Sequence, residues 1–205
     1  MSAAQQITDY ASSLFDVAAF SQLSSGDSLL ILGMESTPQR NLDEFGRVDG
    51  NFHLYGFKKH IGPRLESILN FTRSKGFSAE PVGQHGYPLK GEINLKQEAI
   101  RAGLGRRGKN TIVVNPGYGS RLRFAAIRTN VPLEPTMRSS MTEAENPACS
   151  GCSICIDACP VKALEPYRMP DPSLCLSSSA LMPEEEGRLV PCDLCLRLCP
   201  VGKEC

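Results

Sequence analysis

The 205-residue chain contains no tryptophan, and it has no cysteine before Cys149. Its formal net charge is zero, with 22 Lys and Arg against 22 Asp and Glu, so no field of one sign dominates the molecule. No apolar run approaches the roughly 20 residues that cross a bilayer as a helix. The opening MSAAQQITDYASSLF has no basic n-region, no twin arginine and no continuous apolar h-region. These absences lead to the expectation of a cytoplasmic protein without a membrane partner. Ile7, Tyr10, Leu14, Phe15 and Ala18 recur at helical spacing instead, which predicts an amphipathic helix at the start.

The late onset of cysteine divides the chain. All nine cysteines lie at or after Cys149, and in a reducing compartment such a cluster argues for metal rather than disulfides. Between the two parts LEPTMRSSMTEAENP is polar, carries prolines and shows no periodicity. The expected domains are residues 1–133, a linker over 134–147, and a cysteine-dense domain over 148–205.

The stretch CSGCSICIDACP places Cys149, Cys152, Cys155 and Cys159 in the pattern C-x2-C-x2-C-x3-C-P, with Pro160 last. This is the bacterial ferredoxin spacing, in which the fourth cysteine ligates a second cluster. A second set is present in PCDLCLRLCP, with Cys192, Cys195 and Cys199, and Cys175 lies upstream of it. The predicted assignment is crossed. Cys149, Cys152, Cys155 and Cys199 would hold one [4Fe-4S] cluster, and Cys159, Cys175, Cys192 and Cys195 the other. Zinc also takes four thiolates, but zinc ribbons use separated C-x2-C pairs rather than three cysteines at consecutive short gaps. The insert LSSSALMPEEEGRLVP after Cys175 is placed to cover a cluster or approach something bound beside it. Cys205 is left over as a free terminal thiol.

Before the cysteines, residues 27–34 (DSLLILGM) read as a buried strand. Residues 57–77 read as a helix with Pro63 in its first turn and Gly76 at its end. NLKQEAIRAGLG reads as a shorter helix with Asn94 as N-cap and Gly103 as the stop. TIVVN and RLRFAAIRT are strand candidates around the turn PGYGS. These elements make residues 1–133 an α+β or α/β domain, and the fold class of the whole is α+β. In GLGRRGKN, Gly103, Gly105 and Gly108 allow close backbone approach to a ligand, while Lys109 and Asn110 add donors. On the residues alone, a helix stop followed by a tight connection explains the same glycines.

AGLGRRGKN (102–110), PGYGS (116–120), the strand ending in TNVPL and the ordered cysteine sets together resemble the epoxyqueuosine reductase and reductive dehalogenase group. The resemblance covers residues 94–200 well and the earlier elements more loosely. It implies a nitroreductase-related cobalamin-reductase-like domain followed by a ferredoxin-like domain with two [4Fe-4S] clusters. It also implies bound cobalamin beside Gly103, Gly105, Gly108, Lys109 and Asn110, and a ferredoxin or flavodoxin as electron donor. The tRNA-modifying members place an aspartate proton donor upstream of the AGLG helix. HGYPLKGEINLK has no aspartate, which leaves Tyr87 and Glu92 as candidates that also read as surface or packing residues. Those members often continue into helical repeats, whereas this sequence stops at Cys205. His53 has the wrong spacing for a cobalt ligand.

From Lys96 to Arg128, eight basic residues (Lys96, Arg101, Arg106, Arg107, Lys109, Arg121, Arg123 and Arg128) face one acid, Glu98. They could meet a corrinoid phosphate, RNA or an acidic partner, or simply form a solvated face. No aromatic residues interleave the arginines to stack single-stranded bases. Two functional classes follow. One is a cobalamin-dependent reductase acting on a corrinoid or small-molecule substrate, and the other is an electron relay to a separate partner. Replacing Cys205 with serine is expected to leave the iron content unchanged, whereas Cys199→Ser loses about half of it, since one of two equal clusters goes. Iron and sulfide analysis of anaerobically purified variants checks both outcomes.

Overall fold

A computed structural model describes residues 1–49, 51–82, 93–134, 145–181 and 187–202. Tyr87, Glu92 and Cys205 lie outside these residues, as does most of the expected linker.

The chain opens with helix α1 (Ala3–Ser12), capped by the Ser2 hydroxyl, which accepts from the Gln5 amide at 3.2 Å. Strands β1 (Val17–Gln22) and β2 (Ser28–Glu35) follow as an antiparallel pair. Strands β3 (Phe45–Val48) and β4 (Asn51–His53) form a short hairpin. Helices α2 (Tyr55–His60) and α3 (Gly62–Ser74) then lead to β5 (Ala79–Val82). Helix α4 (Leu95–Arg101), β6 (Arg106–Arg107), β7 (Val113–Val114) and β8 (Leu122–Thr129) complete the part before the cysteines.

The main sheet has the order β1-β2-β8-β5, and every neighbouring pair is antiparallel. This all-antiparallel arrangement bears out α+β and corrects the α/β reading of residues 1–133, which calls for parallel neighbours joined by crossover helices. β2 is buried on both faces, which explains why residues 28–34 read as a continuous apolar run rather than an alternating one. Leu30, Leu32 and Met34 pack with Ile7 and Ala11 of α1 and with Leu65, Ile68 and Leu69 of α3. Leu29 and Ile31 pack on the other side with Leu95, Ala99 and Ile100 of α4. The result is three layers, with the sheet in the middle.

Local signals set several boundaries as expected. Asn94 caps α4 by accepting from the Gln97 amide at 3.2 Å, and Gly103 follows its end at φ +77°. Gly76, at φ +86°, follows α3. Two expectations are corrected. The first helix stops at Ser12, so Leu14 and Phe15 reach the core from the following turn and Ala18 from β1. The helix over 57–77 is two helices, broken before Pro63. A proline there removes an N–H and crowds the preceding turn.

A second sheet crosses between the two parts of the chain. Its order is β4-β3-β10-β9, with β9 (Ala180–Leu181) and β10 (Arg188–Val190) contributed by the stretch between Cys175 and Cys192. Leu189 pairs with Phe45 across the junction. Beside it the Arg188 Nη1 donates to Glu44 Oε1 at 2.5 Å, and the guanidinium lies 4.5 Å from the Tyr55 ring centroid. Glu44 is buried at 8% exposure, so losing its partner strands a carboxylate in a desolvated place. Arg188→Met is expected to destabilise the protein by about 2–4 kcal/mol, somewhat less than the ~3–5 kcal/mol for breaking a fully buried ion pair because the Arg188 side chain is 29% exposed. Denaturant titration of the variant against the parent protein is the check.

Candidate metal centre

The sequence spacing of the cysteines becomes a pair of matching turns. Residues 152–160 (CSICIDACP) and 192–200 (CDLCLRLCP) each contain C-x2-C-x3-C-P, and each winds into a four-residue helix at the same place. These are α5 (Ile154–Asp157) and α7 (Leu194–Arg197), which pack against one another. Their end bonds correspond: Ala158 N donates to Ile154 O and Leu198 N to Leu194 O, both at 3.0 Å. Ahead of α5 a 3-10 turn (Pro147–Cys149) is capped by Asn146, whose side chain accepts from the Ala148 amide at 2.9 Å. Helix α6 (Pro172–Ser177) carries Cys175 and is capped by Asp171, which accepts from the Ser173 amide at 2.9 Å.

This packing sorts the thiols into two recesses. Cys149, Cys152, Cys155 and Cys199 line one, together with Lys109, Asn110, Val114 and Pro200. Cys159, Cys175, Cys192 and Cys195 line the other, with Pro160, Leu164 and Met169. Each repeat therefore keeps its first two cysteines in one recess and sends its last, the one before proline, into the other. Each recess encloses a cavity of ≈ 20 Å³, room for about one water. All eight of these cysteines are free thiols. Among the described residues no three His, Cys, Asp or Glu side chains converge closely enough for a single ion.

Segment 103–121 lines the first recess and bonds to the backbone of both cysteine turns. Lys109 Nζ donates to Cys152 O at 2.8 Å, and Asn110 Nδ2 donates to Cys195 O at 3.2 Å. Ser120 Oγ donates to Leu196 O at 3.3 Å, a contact that sequence reading did not single out. After Cys199 the chain descends onto the turn 115–119 so closely that a Cβ on Gly119 would strike the Val201 carbonyl. The other expected cofactor residues face the protein itself. A Cβ on Gly105 would lie 2.7 Å from both Val113 Cγ1 and Val114 O, and one on Gly108 would lie 2.6 Å from Val114 Cγ2. The close approach these glycines permit is to β7, and Gly103 terminates α4.

The basic residues of 96–128 are mostly spoken for. Arg101 pairs with Glu98 at 2.7 Å, Arg121 with Glu35 at 2.6 Å and Arg123 with Asp43 at 2.5 Å. Arg107 Nη2 donates to Tyr167 O at 2.8 Å. Arg106 is exposed. Burial holds the Lys96 ammonium below its usual range, with Arg123 and Arg107 adding to the effect and the thiols Cys175 and Cys195 opposing it.

The thiols feel burial and one another. Burial pushes Cys195 up to about 12, and Cys175 and then Cys155 of the other recess push in the same direction. That last influence also shows how near the two recesses lie. Cys155 is raised by burial first and then by Cys149 and Cys152. A folded metal-free chain therefore holds the Cys195 proton more tightly than the unfolded chain does. That stabilisation is complete below the ordinary thiol value and is lost as pH climbs through the raised one. Metal-free protein is expected to lose stability as pH rises from about 9 towards about 12, and Cys195→Ala is expected to flatten the slope. Urea titrations across that range measure it.

No protein-family model matches the chain. It is 30% identical over 149 residues to the epoxyqueuosine reductase of Bacillus subtilis, covering 68% of this chain and 36% of that protein. A crystal structure of an epoxyqueuosine reductase with an epoxyqueuosine-modified tRNA-Tyr stem loop superposes with a TM-score of 0.64 at 20% identity, covering 97% of this chain and 64% of that one. A reductive dehalogenase whose structure suggests a mechanism for B12-dependent dehalogenation gives 0.61 at 16% identity, covering 89% and 26%. The chain spans about a third of the curated relatives first matched. The mixed α+β fold is that of these structures.

Proposed function

We propose that this chain, a homologue of the epoxyqueuosine reductase family over part of its length, is an iron–sulfur reductase that passes single electrons through two [4Fe-4S] clusters. The observation that carries the proposal is the crossed partition of eight thiols into two adjoining recesses. Four soft thiolates that, among the described residues, do not converge on one point suit an iron–sulfur cluster better than one zinc ion, which needs its sulfurs converging at ~2.3 Å. A cluster of this kind accepts and releases one electron at a time. The protein supplies the rest. Ala163 N donates to Cys159 Sγ at 3.2 Å, a bond that offsets thiolate charge.

The recesses differ in what they do to added negative charge. The first has the Lys109 ammonium and the Asn110 amide on its wall. The second has no charged side chain on its wall and is lined by apolar residues and Ser178 beside its thiols, and it holds the thiol that is pushed up furthest. Electrons are therefore held more readily at the first and passed on more readily from the second. Ile154 and Leu198, 45% and 42% exposed, flank cysteines of the first recess and offer a small apolar landing site for a ferredoxin or flavodoxin donor. A patch of this size suits a brief electron-transfer encounter.

For the final acceptor the relationship to cobalamin-dependent reductases favours a corrinoid, whose cobalt takes electrons singly when bound. The residues read from sequence as its cradle do not fit that role. Lys109 and Asn110 are committed to the cysteine loops, and Gly105 and Gly108 to β7. The proposal accordingly assigns no corrin-binding residue. That commitment favours the second reading, an electron relay to a separate acceptor. RNA is not part of the proposal, because the island that would meet it is largely paired within the protein.

Anaerobically purified protein is expected to hold about eight irons and eight sulfides per chain, the content of two four-iron clusters. Cobalamin added to the reduced protein separates the two readings: binding and reduction, followed in its visible spectrum, support the corrinoid acceptor. Full iron with no change in cobalamin leaves the relay as the function, and tightly held zinc in place of iron overturns both.

A further inference from the structure

The second recess contains one polar side chain that its cysteines do not account for. Ser178 lines it beside Cys159, Cys175, Cys192 and Cys195, among Val161, Leu164 and Met169. Its Oγ is buried and has no hydrogen-bond partner among the described residues. Buried hydroxyls are nearly always paired, because an orphan forfeits its bonds to water without replacement.

A local partner was within reach. Ser13, Ser74 and Ser177 each follow or end a helix, and each donates its hydroxyl to the carbonyl three residues back at 2.7 Å. Ser178 has the same opportunity at Cys175 O, which already accepts its backbone N–H at 3.2 Å. Its hydroxyl does not take it. Cys175 lies three residues earlier at the end of the same helix, and that spacing puts the thiol and the hydroxyl on one side.

We propose that Ser178 donates its hydroxyl hydrogen bond to a sulfur of the group held in the second recess and so raises that group's reduction potential. This rests on the two-cluster reading above. One added electron increases the negative charge on the sulfurs, and a donor aimed at them stabilises the reduced state more than the oxidised one. The apolar walls strengthen the effect by excluding competing water. The donor partly offsets the burial that makes this recess the harder one to reduce. It is a positioning and tuning role, and Ser178 takes no part in bond making.

The test is a redox titration of the iron-loaded protein with dithionite, monitored by electron paramagnetic resonance, which follows the two one-electron centres separately. Ser178→Ala is expected to lower the reduction equilibrium constant of one centre about tenfold, a fall of ~59 mV for one electron, while the other stays in place. Ser178→Thr keeps the hydroxyl and is expected to retain the parent potential. The Ser179 Oγ is also buried without a partner, but Ser179 does not line the recess, so Ser179→Ala is expected to shift neither centre. Unchanged potentials in Ser178→Ala, or an equal shift in Ser179→Ala, overturn the proposal. Should Ser178→Ala lose iron, a crystal structure of the loaded parent protein decides. Ser178 Oγ at hydrogen-bond distance from a sulfur in the recess sustains the role, and Oγ turned to the Cys175 carbonyl overturns it. Iron analysis of the parent protein separates this outcome from failure of the cluster reading, which shows as fewer than two centres before any variant is compared.

Discussion

The cysteine-rich part depends on one constraint, the destination of the cysteine before each proline. Cys159 and Cys199 both leave their own repeat and enter the recess of the other. Neither recess is complete unless α5 and α7 pack together, so the two sites form jointly. This also explains how a segment with so little apolar core holds its shape. Cys159, Ala163 and Leu164 are its only buried core cluster among the described residues, and a core that small supplies little folding free energy by itself. Docking onto the first part supplies further contacts.

That docking is done by polar contacts at two places. Segment 103–121 reaches up through Lys109, Asn110 and Ser120 to backbone carbonyls at Cys152, Cys195 and Leu196. At the second place β10 completes the sheet begun by β3, with Arg188 held between Glu44 and Tyr55. β10 belongs to the stretch that joins Cys175 to Cys192, two thiols of the second recess. The shape of that recess is therefore set partly by a strand register in the opposite half of the chain.

What was legible in the sequence was local, or repeated at short range. Asn94 and Gly103 bound α4, residues 28–34 form a strand buried on both faces, and the cysteine spacing anticipates the sorting into recesses. Each of these is decided by neighbours a few residues apart. What was not legible depends on partners far away. The arginines of β8 and the turn before it look unbalanced in sequence because Glu35 and Asp43 lie more than eighty positions earlier or close to it. The glycines of 103–110 announce close approach without saying to what, and β7 proves to be the neighbour. Leu14 and Phe15 satisfy a helical period and still lie beyond the helix, because period alone does not stop at Ser13. Ser178 had a signal in the run of three serines after Cys175, but only the fold distinguishes Ser177, bonded to its own helix, from Ser178, which faces the thiols.

The asymmetry between the recesses follows from where each meets the rest of the protein. The first lies against Lys109 and is bordered by exposed apolar residues. The second is lined by Val161, Leu164 and Met169 beside its thiols. In a low-dielectric site, each unit of negative charge is more costly to add, and any fixed donor aimed at that charge counts for more. On the two-cluster proposal, the apolar lining of the second recess gives a single hydroxyl there its leverage. Two sites with the same four ligands can thus work at different potentials. On the two-cluster proposal, the difference arises from the neighbours on each wall.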